Sequence, residues 1–123
     1  MPGTTNTRRA IRRLLYDQIP TLGFAGTADS IAAGSVVDTF AFQDSNLSTG
    51  HFRGCYIYRP DRTDDDRVKK AGALTLASGT LAHTGANYTT PSTDYVYEIV
   101  GMHPDELNEC IRRAVRKVYF DTS

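Results

Sequence analysis

The sequence predicts an α+β domain: a small antiparallel β-sheet or barrel flanked by an N-terminal and a C-terminal helix. Apolar residues recur at spacings of three and four near each end, the signature of a helix with one buried stripe. Between them lie several short runs of β-formers. Turn residues separate those runs, which points to antiparallel neighbours. With 123 residues, the chain has the length of one ordinary domain and is read as a single unit, 1–123.

A first helix is expected from Thr4 or Thr5 to Ile19. Ile11, Leu14, Leu15 and Ile19 supply its apolar stripe, and Thr5, Asn6 or Thr7 can cap its start. Pro20 ends it, because the residue before a proline is pushed out of helical geometry. Arg8, Arg9, Arg12 and Arg13 crowd the first half, the wrong end for the helix dipole. Such placement costs helix stability and hints at a contact. Leu22 to Gly34 reads as a connection with a short helical turn near Asp29 to Ala33. The β region runs from 35 to 100. Its strands are expected at Val36–Phe42, Phe52–Tyr58, Arg67–Leu76, Thr80–Thr84 and Tyr95–Val100, with a hairpin turn at Ser78 and Gly79. The closing helix spans 104–120. Pro104 suits the first helical position, and His103 falls at the cap. Asp105, Glu106 and Glu109 come first and Arg112, Arg113, Arg116 and Lys117 come last, the order that the dipole favours. Leu107, Ile111, Ala114 and Val118 are assigned to the core, with Cys110 beside them.

Composition excludes several classes. Apolar residues are 40% and charged residues 23%, a globular balance. The 14 basic and 14 acidic residues cancel, whereas a dedicated nucleic-acid binder carries a basic excess. No apolar run approaches the roughly 20 residues that span a bilayer, so no membrane partner is expected. Cys55 and Cys110 lie far apart and read as two reduced, buried thiols.

Candidate chemistry is sparse. Asp64, Asp65 and Asp66 are consecutive, so they cannot all face one ion, and the alternating acids of a calcium loop are missing. "HPDEL" lacks the second histidine that a helical zinc motif needs. His51 and His83 stand in other segments with no ligand spacing. There is no G-x-S-x-G elbow, phosphate-cradling loop or G-x-G-x-x-G pattern. We therefore expect neither an enzyme nor a cofactor or metal. The seven tyrosines suit protein interfaces, where the ring buries area and the hydroxyl finds a partner.

Four stretches carry a family resemblance: "LGFAGTADSIAAGSVVDT", "YIYRPDRTDDDRVKKAGALTLASGTL", "YEIV" and "HPDELNECIRRAVRKV". Together they resemble the N-terminal, anchor-type domain of tailed-bacteriophage virion structural proteins, most clearly over Tyr97 to Val115. The resemblance implies a strand ending in an arginine-led loop, then a hairpin, a Tyr-Glu strand and a capped helix. It also implies a role in the head, neck (head–tail connector), tail or fibre attachment. On that basis the expected function is docking on neighbouring virion subunits, with homo-oligomerisation, in particles assembled in the host cytoplasm. Expected contact residues are Arg8, Arg9, Arg12 and Arg13, the loop around Asp64, Asp65, Asp66 and Arg67, and Arg112, Arg113, Arg116 and Lys117. The alternative is a small nucleic-acid-binding module that uses its arginine-rich helices.

Overall fold

The computed structural model describes residues 5–32, 34–43, 46–60, 65–85, 87–88 and 96–121. Its helices are α1 (Thr5–Gln18), α2 (Thr39–Phe42) and α3 (Pro104–Asp121). Its strands are β1 (Gly23–Thr27), β2 (Ser30–Ala32), β3 (Ser35–Val37), β4 (Tyr56–Tyr58), β5 (Val68–Thr75), β6 (Thr80–His83) and β7 (Val96–Val100). All pairings are antiparallel, in the order β1-β7-β4-β5-β6-β3-β2. The class is α+β, as expected, and the sheet is open rather than a closed barrel.

β5 holds the two halves of the sheet together. Val68 to Lys70 pair with β4, while Ala71 to Thr75 pair with β6. The register shifts between Ala71 and Leu74, an irregularity that bends a strand and increases its twist. The bent sheet wraps one core, built from Val36, Phe42, Phe52, Ile57, Leu74, Leu81, Tyr97 and Ile99. Phe24, Phe42, Phe52 and Tyr97 meet there as tilted and edge-on rings, Phe42 and Phe52 at 5.4 Å between centroids. Such pairs add roughly 0.5–1.5 kcal/mol each beyond their buried area. A second cluster lies on the opposite face, under α1 and α3: Tyr16, Tyr58, Val100, Leu107 and Ile111. β7 is buried on both faces because it serves both clusters, Tyr97 and Ile99 on one side and Val100 on the other.

Several elements differ from expectation. The Gly/Ala-rich segment after Pro20 forms strands β1 and β2 rather than a connection with a helical turn. Gly23 is needed in β1, since a Cβ there would come within 2.2 Å of the Ile99 carbonyl oxygen. The expected strand at Val36–Phe42 stops after Val37. Asp38 accepts hydrogen bonds from the N–H groups of Phe40 and Ala41, at 3.1 Å each, and so caps α2. The stripe on α1 is also rotated. Leu14 is 64% exposed and Ile19 48%, while Arg12 and Tyr16 are buried. Cys55 is half-buried and Cys110 exposed, both as free thiols. Ala114 is exposed rather than in the core, and the Val118 side chain lies outside the described residues.

Other expectations hold. The β5–β6 hairpin turns at Leu76–Gly79, with Gly79 in the left-handed region at φ 63°. His103 caps α3: its ring Nδ1 accepts from the Asp105 N–H at 3.1 Å, and its carbonyl accepts from the Leu107 N–H at 3.1 Å. The N–H of Gly101 donates to the Leu22 carbonyl at 2.9 Å, which sets the end of α1 beside the start of α3. Further along, Arg12 reaches Asn108. The two helices therefore run antiparallel across the sheet.

Candidate functional site

A close-knit buried polar group lies beneath the helix pair. Glu98 occupies the centre of β7 and faces the helices with no exposure to solvent. An isolated carboxylate there would be very costly, so it must be matched. Arg12 of α1 donates to it twice, Nε to Oε1 at 2.8 Å and a terminal nitrogen to Oε2 at 2.9 Å. Tyr16, one turn on, donates its hydroxyl to Oε1 at 2.6 Å. A remaining Arg12 nitrogen donates to Asn108 Oδ1 at 2.8 Å, which ties α3 into the same network. Burial opposes the Arg12 charge, but the hydrogen bond and attraction to Glu98 outweigh it and hold the Arg12 pKa above its ordinary value. Burial, reinforced by the bond to Glu98, pushes the Tyr16 phenol far above its ordinary range. Arg12 also lies over the Tyr58 ring at 5.0 Å. The bond geometry is that of a structural clamp that fixes both helices on the sheet. Arg12, expected at a contact surface, is a core residue.

The other basic residues separate by position. Arg67 pairs with Asp105 at the start of α3 and also lies over the Tyr58 ring, at 5.4 Å. The hydrogen bond from Arg67 holds the Asp105 carboxyl below its usual range. Asp66 is buried and sits 4.0 Å from Lys69 Nζ, so it is not a surface acid. Asp64 and the Asp65 side chain lie outside the described residues. Arg112 and Arg113 both bond Glu109 on their own helix, at 2.6 Å and 3.1 Å. Because α1 and α3 are antiparallel, half-buried Arg8 and Arg9 lie toward the same end of the helix pair as exposed Arg112, Arg113 and Arg116. Arg13 is exposed on the flank of α1, beside β1. The Lys117 side chain lies outside the described residues.

Potential chemistry is dispersed. His51, His83 and His103 each stand edge-on to an aromatic ring, Phe52, Tyr88 and Tyr56 respectively, at 4.6–5.2 Å. Among the described residues, no group of three or more His, Cys, Asp or Glu side chains is gathered to hold a metal ion. Burial raises the Cys55 thiol pKa, which works against a reactive thiolate. Tyr97 donates to Asp38 at 2.5 Å within the core, where it helps fix the cap of α2. Among the described residues, no helix is long and apolar enough to cross a membrane.

The surface carries several exposed apolar and basic side chains. Every side chain of α3 from Arg112 to Arg116 is exposed, Val115 at 47%. Phe40 on α2 is 97% exposed. Among the described residues the sheet ends in β1 and β2, each paired on one side only. Two grooves flank β1: one of about 510 Å³ beneath Arg13 and Asp17 of α1, the other of about 590 Å³ on the opposite face, lined by Leu22, Phe24, Leu47 and Phe52. Comparison with family models, with curated proteins and with solved structures gave no match to this chain.

Sequence reasoning missed Glu98, Tyr16 and Asp38. The signal for the Glu98 clamp was present: one acid inside the apolar run "VYEIV", and one arginine, Arg12, set among the apolar residues of α1. Each is costly to bury alone, and together they satisfy one another. Asp38 before "TFAF" was a cap read as a strand residue.

Proposed function

We propose that this protein is a structural subunit of a tailed-bacteriophage virion, one that docks on neighbouring virion proteins at the capsid, neck or tail. The observation that carries this is the outer half of α3. Its inner half is sealed on the sheet through Leu107 and Ile111, while Arg112 to Arg116 all face solvent with Ala114 and Val115 among them. A helix anchored at its start by a cap, an Arg67–Asp105 pair and a core, and exposed from Arg112 to Arg116, presents a rigid amphipathic surface. Exposed Phe40 and Leu14 add apolar contact area elsewhere. The phage assignment rests on the sequence resemblance over Tyr97 to Val115, which spans β7, the His103 cap and most of α3. Partners are then other virion subunits and further copies of this chain, assembled in the host cytoplasm.

A second reading has one specific support: the antiparallel helices bring Arg8, Arg9, Arg112, Arg113 and Arg116 toward one end, a form suited to phosphates. Against it, Glu109 already engages Arg112 and Arg113, and Arg12 is spent on Glu98.

One pair of assays separates the two. Val115→Asp and Arg116→Glu leave the buried face of α3 untouched and should reduce incorporation into purified particles at least tenfold. Unchanged incorporation of both variants would contradict the docking role. Titration against duplex DNA at about 50 mM salt should show no binding; affinity falling steeply with log salt would favour the phosphate reading instead.

A further inference from the structure

β1 is an edge strand, paired among the described residues with β7 alone. The Gly101 N–H donates to the Leu22 carbonyl while the Leu22 N–H turns to the Ile19 carbonyl, so this single bond sets the phase of the β1–β7 ladder, with position 22 turned toward position 101. In an antiparallel ladder hydrogen-bonded pairs alternate, which makes Phe24–Ile99 and Gly26–Tyr97 the hydrogen-bonded ones. The N–H and C=O groups of Gly23, Ala25 and Thr27 therefore point away from β7. No strand among the described residues pairs with them. Five residues long, β1 carries no Lys, Pro or bulge, the usual devices that blunt an open edge. The opposite edge, β2, is only three residues long, and short length is itself such a device.

We propose that two copies of the chain join along β1 about a two-fold axis at Ala25, extending one sheet through both. Ala25 then faces Ala25 of the second copy, and Gly23 faces Thr27, each pair exchanging two backbone hydrogen bonds. Two features of the chain match this register. On the core-facing side, Phe24 of one copy falls opposite Gly26 of the other. Gly26 has no side chain because a Cβ there would press on the Tyr97 ring and hydroxyl, 3.1 Å away. An aromatic side chain set across from an edge glycine covers the backbone that the glycine leaves bare. On the helix side, Arg13 and Asp17 overhang β1 along the same groove. Tyr16 bonds Glu98, the register partner of Ala25, so the turn of α1 around Tyr16 lies level with Ala25. The axis at Ala25 thus passes near the midpoint of Arg13 and Asp17. The second α1 runs antiparallel to the first and sets Arg13 of each copy toward Asp17 of the other. Identical copies are complementary in backbone, shape and charge at one place.

This pairing is independent of where an assembly is located and is tested without particles. Sedimentation equilibrium of the full chain should show a dimer that dissociates on dilution. Ala25→Pro removes an N–H that β7 does not use and should weaken the dimer at least tenfold while circular dichroism stays unchanged. Arg13→Asp and Asp17→Arg should each weaken it several-fold by opposing like charges, and the double variant should restore it. These charge variants lie on an exposed helix flank, so they keep the test sharp if Ala25→Pro disturbs folding. A wild-type chain that stays monomeric at millimolar concentration would overturn the proposal. So would a dimer indifferent to the charge variants.

Discussion

At the scale of single residues, the Arg12–Glu98 pair decides how the helices sit. Both side chains are wholly buried, and each removes the cost of the other. Glu98→Ala would leave a buried guanidinium without its carboxylate, a loss of roughly 3–5 kcal/mol. The double variant Arg12→Met with Glu98→Met fills the space with apolar atoms and leaves no charge behind. It should be less destabilised than Glu98→Ala alone, as read from the midpoint of urea denaturation. A double variant at least as unstable as the single one would show that the pair is not coupled as the geometry states. This clamp was only half legible in the sequence. An arginine within an apolar helical stripe and a glutamate within an apolar strand were visible, 86 positions apart. Their pairing needed the fold, because separations of that size carry no local periodicity.

At the scale of elements, legibility followed local chemistry. The closing helix was readable to within a residue at its start, since Pro104, the cap at His103 and the order of charges act over a single turn. The β5–β6 hairpin was readable for the same reason: Gly79 supplies the positive φ that its turn requires. Gly79→Ala should cost about 1–3 kcal/mol, from left-handed backbone and from a Cβ only 2.9 Å from the Thr39 Cα. Gly85→Ala provides the control, because it shares a positive φ but meets nothing within 4 Å. Melting temperatures should fall further for the first than for the second; equal shifts would remove the packing contribution. β1 and β2 were not readable. "GFAGT" and "SIA" have small residues and weak strand propensity, and they become strands because β7 and β3 offer ladders to pair with. The rotation of the α1 stripe has the same origin, since the clamp at Glu98 outweighs the burial of Leu14.

At the scale of the whole molecule, the titrating groups set a stability plateau. Asp29, Asp105 and Glu109 are held below their ordinary values by hydrogen bonds from Thr39, Arg67 and Arg112 respectively. A lowered folded-state pKa contributes stability above the ordinary value, 3.8 for Asp and 4.5 for Glu, and loses it as pH falls through the depressed value. Tyr16 and Tyr97 are raised above 10.0 by burial and by their bonds to Glu98 and Asp38. Their contribution is present below pH 10 and is lost as pH rises beyond it. The urea midpoint should therefore stay level between about pH 5 and pH 9 and fall on both sides, with Asp105→Asn flattening the acid limb. A midpoint that changes steadily across the neutral range would contradict these assignments.

The architecture as a class was legible because two helical periods enclosed a run of short strands. How the sheet bends was not, since it depends on β5 serving two neighbours around one irregularity. The proposed docking role would cover the surface left over: Arg112–Arg116 of α3, Phe40 and the outer edges of β1 and β2. A density map of the intact phage particle, with its chains assigned, measures this directly. It should place the chain at a fixed position with the outer half of α3 against a neighbouring virion protein. A particle whose map and peptide composition both lack the chain would contradict the virion assignment.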